Sequence, residues 1–92
     1  MYVILVYDIK SDEGGAKFLN KTFKTCKKYL SHIQNSVFEG EVSRSEFQKI
    51  KNGLLDIIDE EEDSIIIYPF EFFSEVERTV LGVEKSPIDE IL

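Results

Sequence analysis

Of the side chains that most often ligate transition metals, the 92 residues hold one cysteine, Cys26, and one histidine, His32. A lone cysteine excludes an internal disulfide framework and a multi-cysteine metal site, and it suits a cytoplasmic setting. The histidine stands between Ser31 and Ile33 on an expected strand. It reads as a packed or surface side chain rather than a catalytic base. Internal repeats and low-complexity stretches are missing too, so a repeat array is excluded. Long apolar runs are absent: the segment Tyr2–Tyr7 is far too short to span a bilayer. It has no basic segment before it and no small-residue cleavage site after it, so it is not expected to act as a signal peptide. No membrane partner is expected. A chain of 92 residues has room for one domain and one core over residues 1–92, and stability this modest makes self-association a reasonable expectation.

What the chain has is an uneven distribution of charge. Residues 1–30 carry six lysines against three acids, a net of +3. Residues 31–92 carry five basic residues against fifteen acids, a net of −10. The total of −7 argues against a nucleic-acid partner, but the distribution sets a basic element on an acidic body. The apolar run Tyr2–Tyr7 has no alternation, so it reads as a strand buried on both faces. It ends on Asp8, where the chain turns through Ile9, Lys10, Ser11 and Asp12. Asp8 has two readings: a carboxylate at a strand end that holds a metal or ligand, or an Asx residue bonding the turn that follows.

Helix-starting residues stand at Ser11 and Asp12, and a helix is expected from about Gly15 to Lys28. Leu19, Phe23, Cys26 and Leu30 recur at the spacing of one buried stripe. Lys17, Lys21, Lys24 and Lys28 recur at the same spacing, offset by two residues, which puts them on the opposite face. Lysines commonly make a solvated face. Four in register without interleaved acids also repel one another, and a polyanion relieves that repulsion. Strands follow at about 30–34 and 36–42, with a turn near Asn35 and Ser36. Gly40 inside the second marks a bulge or a close backbone approach. Ser43 and Glu46 match a capping box before a second amphipathic helix, about 44–58. The run Asp59–Asp63 lacks the turn glycine of a Ca²⁺ loop and reads as a solvated connection. Ser64–Tyr68 is expected to be a second buried strand closed by Pro69, and a short last strand is expected over Arg78–Val83. The apolar end of the tail Ser86–Leu92 suits docking against another surface.

This order predicts an α+β fold: a ferredoxin-like βαββαβ sandwich with an extra C-terminal strand. Strand 1 and the Ile65 strand are placed side by side in the middle of the sheet. Both helices cover one sheet face, and a second copy packing sheet to sheet is the economical cover for the other. The surplus strand would then pair with the partner's sheet edge.

The strand ending Val6-Tyr7-Asp8, the lysine-rich helix and the segment Ile33-Gln34-Asn35-Ser36-Val37-Phe38-Glu39-Gly40 together resemble the small CRISPR-associated Cas-two family. The strand Ile65–Tyr68 and the terminal segment with Gly82 fit as well, so the resemblance spans nearly the whole chain. It implies a ferredoxin-like homodimer that works in CRISPR adaptation, bridging dimers of the CRISPR-associated integrase and holding a nucleic-acid duplex. It also implies a metal-dependent endonuclease on RNA or double-stranded DNA, in which Asp8 meets its two-fold mate and binds Mg²⁺. Asp8 is thereby the catalytic and metal residue, and Lys17, Lys21, Lys24 and Lys28 are the nucleic-acid-binding residues. Related sequences often carry an arginine in the loop after the aspartate, where this chain has Glu13-Gly14-Gly15-Ala16. Two other classes share the topology. A small RNA-recognition domain needs a basic and aromatic strand that Val37–Val42 lacks, and a small-molecule regulatory domain predicts an interface pocket and no role for the lysines.

Overall fold

The apolar run at the start of the chain is flanked on both sides by other strands. In the computed structural model, which describes residues 1–10 and 15–85, the elements are β1 (Tyr2–Asp8), α1 (Gly15–Tyr29), β2 (Ser31–Gln34), β3 (Val37–Glu41), α2 (Arg44–Leu55) and β4 (Ser64–Phe70), followed by one 3-10 turn at Phe73–Glu75. The sheet has the order β2-β3-β1-β4 and every neighbouring pair is antiparallel. This is the expected ferredoxin-like arrangement. Successive side chains of a strand point to opposite faces, so Val3, Leu5 and Tyr7 share one face of β1. They are buried with Phe38 of β3, Cys26 of α1, Ile50 and Leu54 of α2, and Leu30. Both helices therefore cover the same side of the sheet.

Local chemistry sets the element ends. Asn35 takes φ 45° in the tight turn between β2 and β3, a conformation asparagine tolerates better than most residues. The irregular register lies on β2, between His32 and Gln34. Gly40 instead permits a close approach: a Cβ there would stand 3.1 Å from Leu30 Cδ2 and 3.4 Å from its Cα. At the start of α2 the expected capping box is present. Ser43 Oγ accepts from Glu46 N at 3.1 Å, and Glu46 Oε1 accepts from Ser43 N at 2.9 Å. Gly53 lets the helices meet, since a Cβ there would lie 3.3 Å from Thr25 Cγ2.

Four expectations need correction. Helix α2 ends at Leu55 rather than 58, because the N–H groups of Ile57 and Ile58 both return to Leu54 O at 3.0 Å. Ile58 still packs on the core, which is why its spacing looks helical. Strand β4 continues through Pro69 to Phe70, and it can because it is an edge strand, where a missing donor is tolerated. That same position overturns the expectation of a central, fully buried strand. Ile65 and Ile67 pack toward the helices, whereas Ile66 and Tyr68 are 48% and 50% exposed on the other face. Finally, residues 76–85 hold no strand. The apolar segment Thr79–Val83 pairs with neither edge of its own sheet, and Leu81 is 91% exposed. Expectations for Ser11, Asp12 and the tail from Ser86 lie outside the described residues.

Replacing Ser43 by alanine removes one arm of the capping box and is expected to cost about 1 kcal/mol, lowering the thermal midpoint by roughly 4–8 °C in a domain of this size. The Ser43 backbone N–H and then its hydroxyl hold the Glu46 carboxyl below its ordinary value. The Glu46 contribution is therefore present above the ordinary glutamate pKa and is lost as pH falls through the depressed one. Melting curves of Glu46→Ala should converge on the wild type in acid.

Candidate nucleic-acid interface

Helix α1 owes its two faces to residue spacing. Cys26 is fully buried and Leu19 and Phe23 pack against the core, as the apolar stripe requires, and Thr22 is buried beside them. Lys17, Lys21, Lys24 and Lys28 are all exposed, and so is Lys27. Lys27 and Lys28 occupy the last turn, where the helix dipole favours a cation. None of the four register lysines has an ion-pair partner among the described residues. The face is a row of positive charge that the protein leaves uncompensated there.

Asp8 is the exposed last residue of β1, opposite Ser64 of β4. Its side chain lies on the sheet face away from the helices, in line with Tyr2, Ile4 and Val6. No hydrogen bond or ion pair holds its carboxylate among the described residues. Lys10, two residues after β1, is held from elsewhere: its N donates to Asp63 Oδ1 at 2.9 Å, and its Nζ pairs with Glu62 Oε2 at 3.1 Å. The acidic run thus serves partly to hold Lys10, and it also caps itself, with Asp59 N bonded to Asp63 Oδ2 at 2.9 Å. Among the described residues no cluster of three or more His, Cys, Asp or Glu side chains is arranged for a metal ion. One chain supplies a single free carboxylate at that place. The lysines and Asp8 are not brought together, since they lie on opposite sides of the molecule. They share only an end, because α1 starts where β1 stops.

His32 is a packed side chain, as expected. Its ring lies 5.0 Å from that of Phe23 and 4.9 Å from that of Phe38, and Nε2 donates to Asn35 O at 2.7 Å. Burial pushes the Cys26 thiol up to about 12, so it stays protonated and unreactive.

Sequence reasoning missed a buried polar junction on the open sheet face. Glu39 is only 5% exposed. Its Oε1 accepts from Tyr2 OH at 2.9 Å and is paired with Arg78 Nη2. Burial first, and then the bond to Glu39, raise the Tyr2 phenol above its ordinary value. Phe73 packs on the Tyr2 ring with centroids 4.7 Å apart. The chain leaving β4 is thereby pinned across one end of the open face. An acid amid apolar strand neighbours was the only local signal, and nothing local links it to an arginine 39 residues later.

The model of the family described as CRISPR associated protein Cas2 matches residues 1–74. The chain belongs to the Cas2 family. It is 50% identical over its whole length to a CRISPR-associated endoribonuclease Cas2 of Methanocaldococcus jannaschii, covering 76% of that protein. Against the protein of the same name from Pyrococcus furiosus it is 48% identical, over the full length of both. Among solved structures, a Cas2 crystal structure superposes with a TM-score of 0.80 at 39% identity, covering 95% of this chain and 92% of that one. Streptococcus pyogenes Cas2 at pH 6.5 gives 0.74 at 40% identity, covering 89% of this chain and all of the other. These likenesses agree with the ferredoxin-like fold.

Removing Arg78 as alanine leaves Glu39 buried without its cation, and a loss of about 1–3 kcal/mol is expected in denaturant unfolding, reduced from the fully buried case because the arginine is partly exposed. Adding Glu39→Gln to that variant should recover part of the loss; a neutral Arg78→Ala would show that the junction contributes nothing.

Proposed function

We propose that this chain acts as a homodimer in CRISPR adaptation, holding double-stranded nucleic acid on the α1 lysines and scaffolding the spacer integrase. The observation that carries this reading is the uncompensated row Lys17, Lys21, Lys24 and Lys28, exposed on a chain whose net charge is −7. Such a row fits the regular phosphates of a duplex and reads no bases, so binding is sequence-independent and salt-dependent. Dimerisation is supported by the open sheet face. Ile4, Val6 and Val37 are half-buried there, and Ile66 and Tyr68 are half exposed, a surface that a second copy covers. The unpaired strand-forming segment Thr79–Val83 and the free edge of β4 suit each other across such a dimer.

A second reading, endonuclease activity, is favoured by Asp8 and by the endoribonuclease names of the relatives. A carboxylate is a hard oxygen donor of the kind Mg²⁺ takes, but one such ligand holds the ion poorly. The donor set therefore fits Mg²⁺ only where Asp8 of two copies converge, with water and a phosphate oxygen completing the sphere. Bound there, the ion would supply charge stabilisation and a more acidic water for phosphodiester hydrolysis. In that arrangement Asp8 holds and orients, and the lysines keep the backbone in place. The two readings share the lysines and separate at Asp8.

In duplex titrations over a range of salt, Lys17/Lys21/Lys24/Lys28→Ala should weaken binding and make the log–log salt slope shallower by about 3–4; an unchanged slope would remove the basic face from the interface. Asp8→Ala should abolish Mg²⁺-dependent cleavage by a nuclease-free preparation while duplex affinity and a dimeric sedimentation profile persist. Cleavage that survives the substitution would place the activity elsewhere, and a monomer in sedimentation would exclude the shared carboxylate pair.

A further inference from the structure

We propose that the Tyr2–Glu39–Arg78 junction is a positioning clamp for assembly: it carries the chain leaving β4 across the open sheet face and presents Thr79–Val83 to the β4 edge of a second copy. The assignment rests on the dimeric reading above and names the contacts that aim the segment.

The junction directs the chain away from its own β4. Phe70 ends β4 opposite Tyr2 of β1, and the 3-10 turn at Phe73–Glu75 follows. That turn is held locally: Glu75 Oε1 accepts from Phe72 N at 2.8 Å, and Val76 N donates to Phe73 O at 2.9 Å. The Phe73 ring then lies on Tyr2 of β1, and Arg78 reaches Glu39 of β3. In the order β2-β3-β1-β4 the chain has thus crossed two strands from the edge it left, about 10 Å at the usual strand spacing. The attachment is firm because Glu39 is buried, and a buried carboxylate deprived of its cation is costly. Thr79 follows Arg78 directly. From there the chain is released: Val80, Leu81 and Val83 are exposed, and the run pairs with neither edge of its own sheet.

A second copy meets the segment on that side. When two such sheets stack face to face about a two-fold axis along the strands at mid-sheet, their strand orders run in opposite directions, so the partner's β4 lies over β2, about 10 Å away. The junction delivers Thr79 toward that side. The outer edge of β4 is free, since β1 occupies only its inner side, and a free edge is a template for an added strand. Ordering a loose chain costs entropy on association, and fixing its root beforehand removes part of that cost.

The test uses the full chain. Sedimentation equilibrium reads the dimer dissociation constant, and amide deuterium exchange reads pairing of the segment. In the wild type, residues 79–83 should be protected at dimeric concentration and exchange freely on dilution. Arg78→Ala with Glu39→Gln removes the clamp without leaving a buried charge unpaired, and its melting curve on dilute protein separates folding from assembly. It should raise the dissociation constant about tenfold and lose the protection of 79–83, whereas Arg78→Lys, which keeps the cation, should recover most of both. If the double variant does not fold, Phe73→Ala, which frees the other anchor, takes its place with the same expected loss. Successive amides of a strand point opposite ways, so one of Val80→Pro and Leu81→Pro removes a ladder donor with the junction intact and should weaken the dimer by itself. If the unclamped variant keeps wild-type affinity and protection, or if neither proline weakens the dimer, the clamp assignment is wrong and the dimeric reading stands. A wild-type dimer whose residues 79–83 exchange freely overturns the clamp as well. A wild type that stays monomeric overturns the clamp together with the dimeric reading.

Discussion

The sheet is covered by helices on one face only, and most of the molecule follows from that asymmetry. On the covered side, Val3, Leu5 and Tyr7 meet Phe38 and the inner stripes of α1 and α2 in one closed core. On the other side, Ile4, Val6 and Val37 remain half-buried and Ile66 and Tyr68 half exposed. A face that apolar is unusual for an isolated domain. The segment after β4 relieves it at one end, where Phe73 lies on Tyr2 and Arg78 reaches Glu39. The rest of the face stays open, and Asp8 stands at its far end.

Electrostatics are divided with equal sharpness. The acidic residues of the 59–63 run turn inward on their own loop and on Lys10, so much of that negative charge is locally engaged. Glu39 is neutralised inside the fold by Arg78. The α1 lysines have no such partners among the described residues. An acidic protein can therefore present a basic face without contradiction, because a phosphate backbone samples the local field within about a Debye length and not the total charge.

Much of the fold was legible in the amino-acid order. Periodicity over 19–30 separates the buried stripe from the lysines, Ser43 and Glu46 announce the second helix, and Asn35 and Ser36 mark the turn. These are local signals: each depends on residues a few positions apart, whose geometry is set by backbone sterics and hydrogen bonding nearby. The lysines belong to the same category, since their exposure follows from helix spacing alone. Where reading failed, the deciding contact was distant. The Ile65 run looks like a central strand because both its faces are apolar, and only sheet order shows it at the edge.

Sequence by itself thus determined the four sheet strands and both helices, the two faces of α1 and the placement of Asp8 at a strand end, because those depend on short-range periodicity. Tertiary structure alone decided that Asp8 and the lysines lie on opposite sides, that Glu39 is buried against Tyr2 and Arg78, and that Asn20, Tyr7 and the Asn35 turn enclose one cleft. The junction and the cleft join groups far apart in the chain. Packing brings them together, and no local pattern of residues encodes which distant segment will arrive.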